Sequence, residues 1–259
     1  QKTAYEIGVR LVGSDMCIRD SISAMRIIRQ GTCLEIRNHD DDNEEYKSLS
    51  HHIHRQKHGV LFPQSIRSII CGPSGSGKTN ILLSLLFDPN GVKFTNVYIY
   101  CKSLYQPKYK LLQEVLERVK GIGYYQYEDN EQVINPKDAK SNSVMIFDDV
   151  TCDKQDNIRR YFSMGRHKNI DCFYLCQTYT RIPKHLIRDN ANLLVLLKQD
   201  ERNLKHVYED HVGTDMTFQE FKNVCTICWK AKYGFLVIDK DSDLNSGRYR
   251  KGFDQYIIQ

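Results

Sequence analysis

The stretch "SIICGPSGSGKTNIL", residues 68–82, has the spacing of a phosphate-binding loop. It fits the pattern G-x-x-x-x-G-K-[ST], with Gly72 in the first position and Gly77, Lys78 and Thr79 in the last three. The glycines let backbone N–H groups approach phosphate oxygens with no Cβ in the way. The predicted nucleotide-binding set is the whole loop: Gly72, Pro73, Ser74, Gly75, Ser76, Gly77, Lys78, Thr79 and Asn80.

The residues around this loop fit the same interpretation. An apolar run that includes Ile66, Ile69 and Ile70 precedes the loop and predicts a strand, and "NILLSLLF" after the loop predicts a helix. The N-terminus of that helix would point at the phosphates, where the macrodipole favours negative charge. Lys78 would reach the β- and γ-phosphates, and the Thr79 hydroxyl would bind the metal. The predicted cofactors are therefore ATP and Mg²⁺.

The composition limits the class of protein. A chain of 259 residues with 41% hydrophobic content can form one sizeable α/β domain. No apolar run approaches the ~20 residues that a membrane span needs, so no membrane association is expected. Nine cysteines beside a phosphate-binding loop indicate reduced thiols, hence a cytosolic, nuclear or viral setting rather than secretion. The net charge of +5 permits an anionic partner such as DNA without requiring one.

Strand and helix patterns alternate along the rest of the chain. An element at 25–37 is predicted as a strand or a short helix. The pattern indicates an α/β fold, a P-loop NTPase whose mainly parallel sheet is covered by helices on both faces. Predicted strands occupy 96–103, 144–150, 170–178, 193–199 and 234–240, the last of these being the final strand. Predicted helices occupy 107–121, 154–167, 183–191, 201–212 and 218–230.

The first 21 residues have neither helical nor strand periodicity and are predicted to be foreign to the native protein. Residues 1–7 have the order that a common sequencing flow-cell primer encodes, Gln-Lys-Thr-Ala-Tyr-Glu-Ile. Residues 11–21 match a translated transposase-type adapter except at Asp15, where the adapter encodes Glu. We expect 1–21 to be a disordered adapter-derived segment, 22–61 a lead-in segment, and 62–259 the P-loop ATPase domain.

A second motif, "VMIFDDV" at 144–150, is an apolar strand that ends in two carboxylates. In P-loop NTPases an acid at the end of the strand beside the loop's own strand holds Mg²⁺, and Asp148 fits that position. Asp149 would polarise the attacking water, although many ATP-driven motors carry the longer Glu there. Gln177 ends the next predicted strand, where a polar side chain can sense the γ-phosphate and orient water.

Two further clusters allow a metal interpretation that the sequence supports weakly. The His-rich segment "HHIHRQKHG" at 51–59 has no Cys or acidic partner beside it, so an exposed flank is the expected alternative. Cys225 and Cys228 form a C-x-x-C pair with no second pair at zinc-site spacing. On a helix these two thiols share a face, so packing in the core is the expected alternative.

The segments "FDDV" and "MGRHKNIDCFYLCQTYTRIPKHLIRDNANLLVLL" together resemble viral genome-packaging ATPases of the FtsK–HerA superfamily. The resemblance is to the poxvirus-type branch of large DNA viruses, adintoviruses and Polinton/Maverick elements, and it covers about residues 62–253. It implies a RecA-like core, a ring-shaped oligomer, and ATP-driven pumping of double-stranded DNA of any sequence into a capsid. It also implies capsid proteins as partners and a location in the viral factory, the host nucleus or cytoplasm, or the virion.

The same resemblance implies an arginine that one subunit supplies to the nucleotide of its neighbour. Arg166 is the first candidate because it precedes the strand that ends at Gln177, and Arg188 in "LIRDNAN" is the second. Either could equally be a surface arginine or a salt-bridge partner. DNA phosphates would meet lysines and arginines without base readout. The candidate basic stretches are 248–253, "RYRKGF", and 55–58, "RQKH".

Three other functions stay open from the sequence alone. A different FtsK–HerA translocase, acting in conjugation or segregation, is a close alternative, but the chain shows no obvious extra DNA-reading or membrane module. A small-molecule P-loop kinase would carry an arginine-bearing lid, and no clear lid segment is found. An inactive domesticated remnant is disfavoured because Lys78, Thr79, Asp148 and Gln177 are all present.

Overall fold

The computed structural model describes residues 26–32, 34–35, 58–128, 133–150 and 155–258. The adapter-like segment 1–21 and residues 51–57 of the His-rich segment lie outside these ranges. The strands are β1 (Arg26–Arg29), β2 (Arg67–Cys71), β3 (Asn96–Cys101), β4 (Gly123–Tyr127), β5 (Ser143–Asp148), β6 (Ile170–Cys176), β7 (Leu193–Leu197), β8 (Phe235–Asp239), β9 (Tyr249–Lys251) and β10 (Gln255–Ile258). The α-helices are α1 (Lys78–Phe87), α2 (Pro107–Arg118), α3 (Asp156–Met164), α4 (Glu201–His211) and α5 (Phe218–Cys228).

The strands form one sheet in the order β1-β10-β9-β8-β7-β2-β6-β5-β3-β4. The strands from β7 to β4 in this order are parallel to one another. Those from β8 to β1 extend the sheet in antiparallel pairs on the far side of β7. Continuous apolar strands such as the "LLVLL" of β7 suit a sheet that is buried on both faces. The predicted α/β fold with a mainly parallel sheet is confirmed.

Helices cover both faces of the sheet, as the alternation of side chains in β2 shows. Ile69 belongs to the core that α3, α4 and α5 close, whereas Ile70 belongs to the core under α1 and α2. Because successive side chains of a strand point to opposite faces, one short strand joins two separate hydrophobic cores. None of the helices in the described ranges is both long and apolar enough to cross a bilayer.

One expected neighbour relation is wrong. The strand that ends in Asp148 does not lie beside the strand of the phosphate-binding loop, because β6 pairs with β2 on one edge and with β5 on the other. The residue that follows β6, Gln177, is consequently placed between the loop and Asp148. Strand order depends on long-range pairing, so the local sequence of β5 carries no record of it.

The helix expected over 183–191 is also wrong. Residues Lys184–Arg188 form an irregular turn, with His185 at ψ 129° and Leu186 at φ 72°, neither of which is helical. Two contacts hold this segment open: Arg67 Nε donates to the Asn190 carbonyl at 2.7 Å, and Arg188 is drawn towards Asp210 at 2.8 Å. A single short helical turn gains too little free energy to resist such tertiary contacts.

Strand β8 is not the last strand, because β9 and β10 follow it and were not predicted. The edge strand β4 was also not predicted, and its tyrosines stack on those of β3, with ring centroids 4.5 Å apart for Tyr98 and Tyr125. The segment predicted at 25–37 as a strand or helix contains strand β1, which pairs antiparallel with β10. These edge elements are short, and short runs give weak periodicity.

Candidate nucleotide-binding site

The loop between β2 and α1 has the backbone that phosphate binding needs. Gly77 is the N-cap of α1 at φ 104°, a left-handed conformation that glycine adopts without steric cost. A Cβ on Gly72 would lie 2.6 Å from Ser76 Oγ and 2.8 Å from Leu197 Cβ, so only glycine fits there. The Gly72 N–H donates to the Cys176 carbonyl at 3.1 Å, which fixes the loop to the end of β6.

Lys78 lies folded over this loop. Its Nζ donates to the carbonyls of Gly72 at 2.7 Å and Pro73 at 2.9 Å. Burial lowers the pKa of Lys78, and the nearby Asp148 carboxyl acts in the opposite direction. The ammonium is therefore held at the mouth of the loop by weak acceptors, which an anionic ligand can replace.

Asp148 is the last residue of β5 and has a partner that the sequence does not suggest. The Tyr109 hydroxyl, from the first turn of α2, donates to Asp148 Oδ2 at 2.5 Å. Burial raises the pKa of Asp148, while the Tyr109 hydrogen bond and the Lys78 charge oppose that rise. The carboxylate is thus oriented by Tyr109 and faces the loop lysine.

Loop residues 74–80, the predicted metal ligand Asp148 and two predicted catalytic residues meet in one cavity of about 380 Å³. Asp148, Asp149 and Gln177 line this cavity opposite the loop. Asp149 has a φ of 56°, which a non-glycine residue rarely adopts and which is often found at functional sites. The geometry brings together the predicted phosphate-binding, metal-binding and water-orienting groups.

We expect the Asp148→Asn variant to melt a few degrees above the wild-type chain at about pH 7, without nucleotide. Because burial raises the pKa of Asp148, ionising this carboxyl costs the folded state free energy. The stability linked to the neutral form is fully present below the ordinary aspartate pKa and is lost as the pH rises through the raised pKa. The variant keeps an oxygen that can accept from Tyr109, and its amide cannot ionise, so the variant does not carry the cost of a buried charge. Thermal unfolding between about pH 4 and 8 measures the difference.

The matched control is Asp138→Asn, which neutralises an exposed carboxylate in the connection before β5. It should leave the melting temperature nearly unchanged at every pH. A melting temperature of Asp148→Asn at or below that of the wild type throughout the neutral range would contradict the effect assigned to burial.

The two candidate arginines lie away from this cavity. Arg166 is exposed in a 3-10 turn, Gly165–Lys168, before the start of β6, whereas Gln177 follows the end of that strand. At ~3.3 Å per residue, the two ends of β6 are about 20 Å apart. Arg188 is mostly buried, pairs with Asp210 at 2.8 Å and stacks over the Tyr179 ring. Neither arginine lines the cavity within the described residues.

The structure corrects the candidate DNA-binding stretch at 248–253. Arg250 is 2% exposed and pairs with Asp239 at 2.6 Å, while Arg248 pairs with Asp215 at the same distance. Both guanidinium groups form ion pairs within the chain and are therefore not free to bind DNA phosphates. In the other stretch, His58 is buried against Asp171 at 3.0 Å, and 55–57 lie outside the described residues.

Cys225 and Cys228 are both fully buried in α5, and burial raises the pKa of each thiol. This agrees with packed core thiols. Across the described ranges, no three His, Cys, Asp or Glu side chains are grouped so that they could hold a metal ion.

Several residues of the site were not singled out from the sequence, among them Tyr109, which bonds to Asp148, and Tyr233, which lines the cavity. Tyr109 is one of three tyrosines between 105 and 124, and nothing in the local pattern separates it from the others. Tyr233 stands in a polar connection before β8 and lines the rim of the cavity. Tyr233 precedes β8, and only the strand order shows that β8 lies close to the loop, separated from β2 by β7 alone.

Comparison with protein families gives a match over most of the described chain. The profile of the family described as Poxvirus A32 protein matches residues 53–215. The DNA packaging protein OPG160 of Monkeypox virus is 30% identical over 136 residues, 48% of this chain and 45% of that protein. The DNA packaging protein OPG160 of Vaccinia virus (strain Copenhagen) is equally similar, with 50% of its length matched. The chain thus spans about half the length of the curated relatives it matches.

Solved structures with a similar fold include the genome packaging NTPase B204 from Sulfolobus turreted icosahedral virus 2. Its complex with sulfate is 15% identical, with a TM-score of 0.51, over 76% of this chain and 98% of that one. Its complex with AMPPCP is 12% identical, with a TM-score of 0.50, over 76% and 99%. At this identity the likeness supports the fold.

Proposed function

Because the chain belongs to the Poxvirus A32 protein family, we propose that it hydrolyses ATP to move double-stranded DNA into a viral or virus-like capsid. The observation that carries the proposal is the convergence of Lys78, Asp148 and Gln177 on one cavity at the glycine-rich loop. The matched relatives are named as DNA packaging proteins, which supports movement of DNA into a capsid as the task that ATP hydrolysis drives.

The phosphate chain would bind to residues 72–80, where the backbone N–H groups at the start of α1 face the cavity. Two features of the loop fit an anion: Gly72 leaves no room for a side chain, and the buried Ser76 Oγ has no hydrogen-bond partner within the described residues. The first turn of α1 contains no acidic residue that would repel phosphate. Lys78 would exchange its two carbonyl partners for phosphate oxygens.

The residues for a metal ion are a hydroxyl and a carboxylate, Thr79 and Asp148, which line the same cavity. Such hard oxygen ligands fit Mg²⁺. When bound, Mg²⁺ would neutralise charge on the β- and γ-phosphates. Tyr109 holds the Asp148 carboxylate in place for this role through its 2.5 Å hydrogen bond.

Asp149 and Gln177 would act on the attacking water. Both side chains are exposed to the cavity rather than used in the core. Asp149 would accept a hydrogen bond from the water and polarise it, and Gln177 would orient the same water towards the γ-phosphate. The placement of Gln177 between the loop and Asp148 in the sheet order suits a residue that contacts both the nucleotide and the water.

A ring would complete the site with an arginine from a neighbouring subunit. Arg166 suits this role, since its exposed side chain lies at the opposite end of β6 from its own cavity. Arg188 is the second candidate, and it would first have to leave Asp210. An arginine supplied across an interface would stabilise charge on the transferring phosphoryl group and couple hydrolysis to the order of subunits.

The test is ATP hydrolysis by the full chain with and without linear double-stranded DNA of mixed sequence. We expect DNA of any sequence to stimulate turnover. Raising the salt from about 50 to 200 mM should weaken DNA binding on the order of a hundredfold if about four phosphates are neutralised.

Other results point to other functions. Hydrolysis that ignores DNA would contradict the proposal and favour a small-molecule kinase. An absence of hydrolysis under all conditions would identify an inactive remnant. DNA-stimulated hydrolysis with no protection of DNA from nuclease by added capsids would favour a translocase with a different task.

A further inference from the structure

We propose that Tyr233 forms the stacking surface for the purine base of the bound nucleotide, an inference that rests on the proposed ATPase function. Tyr233 lines the cavity that the phosphate-binding loop lines. It is 59% exposed, although it is a large aromatic side chain. Its ring lies close to the loop, since a Cβ placed on Gly77 would be 3.7 Å from Tyr233 Cδ1.

The strand order places Tyr233 at the correct end of a nucleotide. The loop follows β2, and Asp148 ends β5, which lies beyond β6 on one side of the loop. Tyr233 precedes β8, which lies beyond β7 on the other side. A nucleoside triphosphate with its γ-phosphate near Asp148 and its phosphates on Lys78 therefore extends its base towards Tyr233.

The turn that carries Tyr233 is held tightly. The Trp229 indole N–H donates to the Leu196 carbonyl at 2.8 Å, which fixes the end of α5 to β7. The Gly234 N–H donates to the Ala231 carbonyl at 3.0 Å, and a Cβ on Gly234 would lie 2.2 Å from the Cys228 carbonyl oxygen. The backbone that carries the ring is thus fixed before any ligand arrives, which lowers the ordering cost of binding.

The backbone of Tyr233 is strained in this position. Its φ is 65°, in the left-handed region that a bulky residue rarely adopts. Non-glycine residues in such conformations are concentrated at ligand sites, where the surrounding structure compels them. A tyrosine that served only to cover surface would gain nothing from this conformation, since most of its ring remains in solvent.

The chemistry around the ring fits a nucleotide base. An aromatic ring stacks on purine and pyrimidine faces alike, so Tyr233 would favour ATP over bare triphosphate without selecting one base by hydrogen bonds. Lys232 Nζ lies 5.1 Å from the ring centroid, a cation–π contact that covers one face. The base would occupy the opposite face.

The test compares two ligands that differ in the base, the ATP analogue AMPPCP and inorganic tripolyphosphate. Both are titrated by calorimetry, with Mg²⁺, into the full chain and into Tyr233→Ala. We expect the variant to bind AMPPCP about tenfold more weakly and tripolyphosphate with unchanged affinity, because base stacking is lost and phosphate binding is kept. Tyr233→Phe keeps the ring and should bind both ligands like the wild type.

The matched control is Tyr105→Ala, which removes a tyrosine that is 72% exposed and does not belong to the described lining of the cavity. It should bind both ligands normally. Equal weakening of both ligands in Tyr233→Ala, or no weakening of AMPPCP, would overturn the stacking role while leaving the ATPase proposal intact. A wild-type chain that binds neither ligand would overturn the ATPase proposal and this inference with it.

Discussion

Replacing Lys78 with alanine is expected to reduce DNA-stimulated ATP hydrolysis by about a thousandfold, to the background of the assay. The ammonium is the charged group that the loop brings directly to the phosphates, and it now rests on the carbonyls of Gly72 and Pro73. Since charge accumulates on the transferring phosphoryl group, loss of this cation removes stabilisation where the reaction needs it most. Release of inorganic phosphate at saturating ATP measures the effect.

The variant should keep its fold. Lys78 makes its hydrogen bonds to two loop carbonyls, and Asp148, which loses the favourable Lys78 charge, keeps its Tyr109 hydrogen bond and a pKa that burial already raises towards the neutral form. A melting temperature close to that of the wild type verifies this point. The matched control is Lys110→Ala, an exposed lysine of α2, which should hydrolyse ATP normally. Turnover in Lys78→Ala comparable to that of Lys110→Ala would refute the assignment of the site.

The same variant tests the arginine across the interface. A Lys78→Ala subunit still carries Arg166, and an Arg166→Ala subunit still carries an intact loop, so each supplies what the other lacks. Mixing the two inactive proteins should restore part of the DNA-stimulated hydrolysis if Arg166 acts on a neighbouring subunit's nucleotide. If Arg166→Ala alone were fully active, Arg188 would become the candidate to test in the same way.

The loop was predictable because its function depends on local backbone geometry. The positions of Gly72, Gly77 and Lys78 are fixed relative to one another by a few residues of chain, so their spacing in sequence is their spacing in space. The neighbours of Asp148 depend instead on pairing between distant segments. The hydrogen-bond donor to Asp148, Tyr109, lies 39 residues away in the chain. The strand that separates β5 from the loop strand in the sheet is β6, which comes after Asp148 in the chain. Local patterns carry neither fact.

The same distinction explains the errors outside the site. A short apolar and charged segment such as 183–191 has modest helix propensity. Its conformation is therefore decided by the hydrogen bond from Arg67 and the ion pair of Arg188 with Asp210. The stretch "RYRKGF" has the composition of an exposed basic patch, yet both faces of β9 are covered at Tyr249 and Arg250, so Arg250 lies in the core. A buried arginine and an exposed one look alike in sequence until their acidic partners are located.

Arg250 gives the second large effect, expected on stability rather than on chemistry. We expect Arg250→Met to lower the free energy of unfolding by about 3–5 kcal/mol, because Asp239 would keep a buried charge without its partner. In the folded chain Arg250 donates to Asp239 Oδ2 at 2.6 Å and to the carbonyls of Gly247 and Leu61, both at 2.5 Å. It therefore joins β9 to β8 and to the segment before β2. The melting temperature should fall by about 10 °C.

Lys251→Met is the matched control, because it removes a partly exposed cation from the next position of the same strand and should change stability by less than about 1 kcal/mol. Adding Asp239→Asn to Arg250→Met should recover part of the loss, since it removes the unpaired charge and keeps an acceptor oxygen. The competing hypothesis, that Arg250 contacts DNA phosphate, makes the opposite pair of predictions. It requires an unchanged melting temperature and a salt dependence of DNA binding that is reduced by about one phosphate contact. A buried guanidinium cannot reach phosphate while it bonds to Asp239, so the two measurements on one variant separate the core role from the DNA role.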